Sequence, residues 1–377
     1  MNCIICIDPL NQSNDSAEHI IQNSIGGFRT VTGLLCTSCN NTTGRDWDAK
    51  LASQLNGMCH FFAIKRDRGS VPAEVVDTTT GETFKMLTDG RLALMRPDIE
   101  KKQVGDQTQF RVIARDMSEA RQILTGLKRK HPEIDVEAEL QKAEARESFP
   151  EGMIHLPVMI GGEHSGRAIV KSAVAFAHTC SIPGVACDRA LTYLRNQGVE
   201  PPFGYYSSTD LVMERPAGVP FHCVAISGNP STGLLVGYVE YFGFLRCVIL
   251  LSETYSGDKI ERCYAIDPTS GQELNLAVRL DFTPADMADI FAYKHSDNGK
   301  TQEAANAVIG PGMARKRERE FQQIAESAAG YAMQNCGANP GEELTDEQRA
   351  KLVPLMMEKI APFIANLQKS RPGPRDI

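Results

Sequence analysis

Two cysteine pairs stand near the start of the chain, each with two residues between its members. They are Cys3 with Cys6, and Cys36 with Cys39. A tetrahedral zinc ion bound by four thiolates is typically held by two such pairs, because each pair presents two sulfur atoms at one edge of the ion. The sequence therefore predicts a structural Zn²⁺ bound by these cysteines.

The segment between the two pairs holds residues that could hydrolyse a phosphodiester. Glu18 and His19 lie within it, and Asn40 follows the last cysteine directly. Phosphodiester hydrolysis needs a base that activates water and a positive charge that stabilises the developing phosphate charge. His19 could supply the base. The oxygen atoms of Glu18 and Asn40 form a donor set suited to Mg²⁺ or Mn²⁺.

The periodicity of residues 40–55 predicts a helix with one mainly apolar stripe. That stripe consists of Asn40, Gly44, Trp47, Leu51 and Leu55. If its apolar members pack on the segment that carries Glu18 and His19, Asn40 in the first turn points at the same segment. Asn41 and Arg45 lie on the neighbouring stripe with Asp48, and Arg45 could reach a substrate phosphate. Asparagine also caps helices, so a capping role stays open for Asn40 and Asn41.

The order of these features resembles the HNH endonucleases. Residues 1–55 contain Cys-Ile-Ile-Cys, Glu-His-Ile-Ile-Gln, Ile-Gly-Gly and Cys-Thr-Ser-Cys-Asn-Asn, in the order of the family branch with two cysteine pairs. The resemblance implies a ββα-metal nuclease fold. It implies that His19 is the general base and that Glu18 and Asn40 bind the catalytic Mg²⁺ or Mn²⁺. Arg45 and Asn41 would then contact the substrate.

Two departures from that family pattern affect the residue roles more than the fold. Gln22 stands where proline is usual. No asparagine occurs in residues 31–35, where many relatives have one that orients the base. Thr32 could take that role, or the role could fall to a residue elsewhere.

The length of 377 residues exceeds one typical domain, and the sequence predicts an α+β protein in three parts. These are a zinc-stapled nuclease domain at 1–70, a mixed α/β domain of unknown role at 71–283, and a helical C-terminal segment at 284–377. Turn signals predict a hairpin or small meander within 72–95 and a mainly antiparallel sheet within 220–282. Helical patterns cover 117–130, 137–147 and 167–178. We expect residues 71–377 to have enough length for a core of their own.

Composition and charge limit the functional classes to which this protein can belong. The formal net charge of -7 argues against electrostatic binding of nucleic acid over a large surface. Any contact with nucleic acid must therefore be local. Apolar runs fall short of the ~20 residues of a membrane span, and the N-terminus lacks the pattern of a signal peptide. We therefore expect a cytoplasmic protein with no membrane partner. The cysteines outside the two pairs should then be reduced, buried hydrophobic residues.

Together these features predict a metal-dependent endonuclease with structural Zn²⁺ and catalytic Mg²⁺ or Mn²⁺. DNA is the favoured substrate. Nucleases of this family often belong to restriction or anti-phage defence systems. From this association alone we expect a defence setting, with a second copy of the chain or a defence-system protein as partner. Two alternatives stay open. One is RNA as the substrate, because the ββα unit contacts the backbone more than the bases. The other is a non-catalytic zinc-knuckle module that binds nucleic acid or protein.

Overall fold

Helices and strands are mixed along the chain in the computed structural model, which confirms the predicted α+β class. It describes residues 1–66, 69–87, 91–104, 107–144, 150, 152–155, 160–339 and 341–369. The strands are β1 (Asp15–His19), β2 (Thr30–Cys36), β3 (Glu74–Thr78), β4 (Thr83–Met86), β5 (Leu92–Leu94), β6 (Asp98–Val104), β7 (Gln107–Ile113), β8 (Ile154–His155), β9 (Phe203–Tyr205), β10 (Val212–Met213), β11 (His222–Asn229), β12 (Leu234–Tyr241), β13 (Leu245–Ser252), β14 (Ile260–Asp267), β15 (Gln272–Leu274) and β16 (Ala277–Val278).

The helices include several that the sequence patterns predicted, among them the helical C-terminal segment. They are α1 (Thr37–Thr43), α2 (Ala49–Phe62), α3 (Met117–Lys128), α4 (Val136–Gln141), α5 (Glu163–Thr179), α6 (Asp188–Arg195), α7 (Pro284–Phe291), α8 (Asn298–Asn335) and α9 (Asp346–Lys369). A π-helical turn covers Gly44–Asp48, and short 3₁₀ turns cover Asn23–Ile25 and Gly184–Ala186. Among the described helices, none is long and apolar enough to cross a membrane.

Two compact units divide the chain, and the first combines parts that are distant in sequence. It joins Met1–Pro72 to Pro157–Arg315. The three parts predicted from the sequence, at 1–70, 71–283 and 284–377, differ from this division. The difference arises because the N-terminal residues and the residues after 157 contribute to one core.

The first unit begins with a β-hairpin followed by a long helix. β1 pairs antiparallel with β2, so that Glu18 lies opposite Val31 and His19 opposite Thr30. The helix starts as α1, passes through the π turn and continues as α2, in which Leu51 is fully buried. A π turn holds more residues than an α turn, so the stripe predicted over 40–55 is rotated at Gly44–Asp48. The ββα order matches the prediction for this segment.

An antiparallel sheet and the helix α5 form the rest of this core. The strand order is β15-β14-β11-β12-β13-β9. Helix α5 contacts the sheet strands β11, β12 and β13. The same helix also contacts β1, β2, the π turn and α2 of the N-terminal segment. Its residues from Ser165 to Ala177 are all buried. Helix α5 therefore lies between the sheet and the N-terminal ββα segment.

A buried histidine also joins the sheet to the N-terminal segment. The Nδ1 atom of His222 accepts the backbone N–H of Phe242 at 3.0 Å, so the proton is on Nε2, which donates to the carbonyl of Ile25 at 2.9 Å. Burial lowers the pKa of His222 to about 4, so the ring is neutral near pH 7. This contact is part of the shared core.

The second unit joins Ala73–Leu87, Arg91–Leu156 and Lys316–Ile377. Its short strands pair antiparallel in the order β5-β4-β3-β8, with β6 and β7 as a separate hairpin. The side chain of Asp116 accepts the N–H of Glu119 and caps α3, as predicted. Part of the helix predicted at 137–147 is observed as α4, whereas residues 145–147 lie outside the described part of the chain.

Candidate metal centre and active site

The four predicted zinc ligands converge at one end of the hairpin. Cys3 and Cys6 precede β1, whereas Cys36 ends β2 and Cys39 lies in the first turn of α1. Their sulfur atoms all lie within 4.8 Å of one another, and the Sγ atoms of Cys6 and Cys36 are 3.7 Å apart. With Zn–S bonds of about 2.3 Å, sulfur atoms in a tetrahedral site are about 3.8 Å apart. The cluster therefore fits one zinc ion.

Local backbone geometry prepares this cluster for metal. The N–H of Ile7 donates to the carbonyl of Cys3 at 3.0 Å, which closes the turn of the first pair. In the second pair, the Sγ atom of Cys36 accepts the N–H of Cys39 at 3.4 Å. Burial opposes a charge on Cys3, but hydrogen bonds from backbone N–H groups outweigh it and lower the pKa of Cys3 to about 7. Burial and the neighbouring thiols, by contrast, raise the pKa of Cys39. The thiolate is the form that binds metal.

We expect about one tightly bound Zn²⁺ per chain, because the four thiols form a closed tetrahedral set. The Cys36→Ser variant should lose this zinc together with the ordered end of the hairpin, because the metal joins the turn of Cys3 and Cys6 to Cys36 and Cys39. Elemental analysis and limited proteolysis measure the two effects, with Cys180→Ser as a control outside the cluster. Well-folded wild-type protein without zinc would contradict this prediction.

The hairpin and the helix after it bring Asn40 to the strand that carries Glu18 and His19. The Nδ2 atom of Asn40 donates to the carbonyl of Ala17 at 3.2 Å. This bond uses the amide nitrogen and leaves the amide oxygen, the atom that can bind a hard cation, as an acceptor. His19 is half-buried at the end of β1. Because the N-cap of α1 is Cys36, helix capping does not explain Asn40.

The carboxylate of Glu18 lies in the protein interior, beside a lysine of α5. The Nζ atom of Lys171 is 2.6 Å from Oε1 of Glu18 and 2.6 Å from Oδ2 of Asp48. The Lys171 side chain is 0% exposed and that of Glu18 is 4% exposed. Burial opposes the charge on Lys171, but the two carboxylates outweigh it and raise its pKa. The ligand role of Glu18 stays a prediction, and it would use Oε2, because Oε1 binds Lys171.

Gln22, the residue at the usual proline position, completes this buried polar cluster. Its Nε2 atom donates to the carbonyl of Ala168 at 3.2 Å and to Oγ of Ser172 at 3.1 Å, both on α5. It also lies 3.5 Å from Oδ1 of Asp48. Its Oε1 atom accepts the hydroxyl of Tyr241 at 3.3 Å. A proline could make none of these side-chain bonds, so contacts with α5 and β12 explain this departure from the family pattern.

The predicted substrate contacts lie on the surface of the helix. The Arg45 side chain is 74% exposed, and its Nε atom donates to Asp46 at 2.9 Å. Asn41 is also exposed, as is Thr32 on β2. The substrate roles of Arg45 and Asn41, and the orienting role of Thr32, stay predictions.

Sequence comparison agrees with this geometry. Residues 3–56 match the model of the HNH endonuclease family. This segment is an HNH endonuclease domain. The match includes the cysteine pairs, Glu18, His19 and Asn40, and it supports a nuclease-type enzyme that binds nucleic acid and metal. Neither a curated protein nor a solved structure matches the chain.

The match ends well before the residues that contact the HNH domain from α5 and the sheet. Lys171 therefore contacts the candidate site from a part of the chain that the motif does not cover. Its signal in the sequence is a single lysine, between Val170 and Ser172, in the mainly apolar helical run of residues 167–178. That pattern shows an unusual position for a charge, but it does not show which groups neutralise it.

Proposed function

We propose that the protein is a metal-dependent endonuclease that hydrolyses phosphodiester bonds in DNA. The hydrogen bond from Asn40 to Ala17 carries this proposal, because it joins the proposed cation ligand to the strand of Glu18 and His19. The family match of residues 3–56 supports the same reaction class.

In this mechanism, His19 removes a proton from the attacking water. The amide oxygen of Asn40 and the second carboxylate oxygen of Glu18, Oε2, would hold Mg²⁺ or Mn²⁺. That cation, when bound, supplies positive charge for the developing phosphate charge and for the leaving oxygen. These hard cations prefer oxygen ligands, such as those of carboxylate and amide groups.

Arg45 and Asn41 are proposed to position the substrate. The ion pair between Arg45 and Asp46 is exposed and contributes little to stability, so a phosphate could replace Asp46 as the partner of the guanidinium. A local contact of this kind agrees with the formal net charge of -7, which disfavours broad binding of nucleic acid.

The biological setting is proposed from family habit alone. We place the activity in a cytoplasmic restriction or anti-phage system, with a second copy of the chain or another defence protein as partner.

A cleavage assay tests the proposed function directly. Supercoiled plasmid, single-stranded DNA and RNA are incubated with the full chain and Mg²⁺, Mn²⁺ or EDTA, and we expect nicking of plasmid only with the added cations. Because EDTA can also remove structural zinc, zinc content is measured after treatment, and activity must return on addition of Mg²⁺ alone. Cleavage of RNA alone would change the substrate class. Nucleic-acid binding without any cleavage would support the zinc-knuckle binding module instead.

A further inference from the structure

Two carboxylates of the HNH domain share one buried cation from outside the family match. Glu18 lies on β1 and Asp48 lies at the end of the π turn, and Lys171 of α5 lies within 2.6 Å of both. The two carboxylates belong to the two elements that carry the proposed catalytic groups. Glu18 is adjacent to His19, and Asp48 is on the continuous helix that begins with the turn of Asn40.

We propose that Lys171 is a positioning residue for the nuclease reaction. By binding Glu18 and Asp48 together, it holds the strand of His19 in a defined position against the helix of Asn40. This inference rests on the proposed function, since it assigns Lys171 a role in that reaction.

The burial of Lys171 makes it a rigid point of attachment. An ammonium has three donors, and here two of them meet carboxylates at 2.6 Å, the short distance of charge-assisted hydrogen bonds. The lysine itself belongs to α5, whose residues from Ser165 to Ala177 are buried. Through these two contacts, Lys171 fixes the hairpin and the helix relative to α5.

Stability alone explains this arrangement poorly. Well-packed apolar residues are often as stabilising as a buried ion pair, because taking charges out of water is costly. A defined geometry explains it better, since an ammonium between two carboxylates fixes both of them. Partners that hydrogen-bond a metal-binding carboxylate typically change metal affinity or activity by about 10–100-fold when they are removed.

The Lys171→Met variant of the full chain tests the proposal, with Arg246→Met as its matched control. Arg246 lies on β13, and its side chain is 8% exposed. Its Nε atom donates to Oε1 of Glu240 at 3.0 Å. Both variants lose a buried cation, so both should lose stability. Only Lys171→Met should also weaken Mn²⁺ binding to the zinc-loaded protein and lower kcat, each by about 10–100-fold, with KM for DNA unchanged.

A multiple variant shows whether Lys171 acts through Glu18 and Asp48. If it does, adding Lys171→Met to the chain with Glu18→Gln and Asp48→Asn should change neither its Mn²⁺ affinity nor its kcat. Additive losses would overturn the proposal. The multiple variant leaves none of these three charges unpaired, so the comparison remains decisive if Lys171→Met alone does not fold.

The outcomes separate this inference from the proposed function. A folded Lys171→Met protein with wild-type Mn²⁺ affinity and kcat overturns the role of Lys171 and leaves the nuclease proposal intact. A wild-type protein that neither binds Mn²⁺ in addition to zinc nor cleaves DNA overturns the proposed function, and the Lys171 proposal with it. Isothermal titration measures Mn²⁺ binding independently of activity.

Discussion

Replacing His19 with alanine should lower the rate of DNA cleavage by roughly 10²–10⁴-fold, the usual effect of losing general acid–base catalysis. Fold, zinc content and DNA affinity should be nearly unchanged, because His19 is half-buried at the end of β1 rather than part of the core. Single-turnover cleavage, elemental analysis and a DNA-binding titration measure these quantities on the same preparation.

A structural role for His19 would give the opposite pattern. Loss of a buried, hydrogen-bonded side chain typically costs ~1–3 kcal/mol of stability, and activity would then fall only as far as folding does. A His19→Ala protein that cuts at the wild-type rate would remove the proposed mechanism, although the zinc-stapled fold could remain.

Asn40→Ala is the matched variant for the proposed cation site. If the amide oxygen of Asn40 binds the catalytic cation, raising the concentration of Mn²⁺ should restore part of the lost rate. If Asn40 acts only through its hydrogen bond to Ala17, the variant should lose about 1 kcal/mol of stability and Mn²⁺ should restore nothing. His19→Ala should not respond to Mn²⁺ under either hypothesis.

Deleting residues 1–70 should prevent the rest of the first unit from forming a stable fold. Without them, Lys171 loses Glu18 and Asp48, and His222 loses the carbonyl of Ile25. The side of α5 that contacts β2 and α2 would be exposed to water, so the main loss is the burial of its apolar surface. A typical domain is stabilised by only ~5–15 kcal/mol, so a loss of this kind prevents a stable fold.

We therefore expect a chain that begins at Val71 to aggregate or to melt far below the full-length protein. Size-exclusion chromatography and thermal unfolding measure this. A soluble truncated chain with a cooperative transition near that of the full protein would instead support the separate domains predicted at 1–70 and 71–283.

The sequence by itself determined the features that depend on short-range spacing. The zinc ligands could be found because each pair is local, and the hairpin brings the pairs together. The HNH family could be identified because its motifs lie within residues 3–56. The start of α3 was predictable for the same reason, since Asp116 caps a backbone N–H three residues away.

The tertiary structure alone decided which groups surround the proposed catalytic residues. The periodicity of α5 shows an apolar helix, but it does not show that the sheet covers one side and the HNH domain the other. For this reason neither the Lys171 contacts nor the bonds of Gln22 follow from the motif. A buried charge takes its partner from whatever element packs against it. That packing depends on long-range burial of apolar surface, which no local spacing encodes.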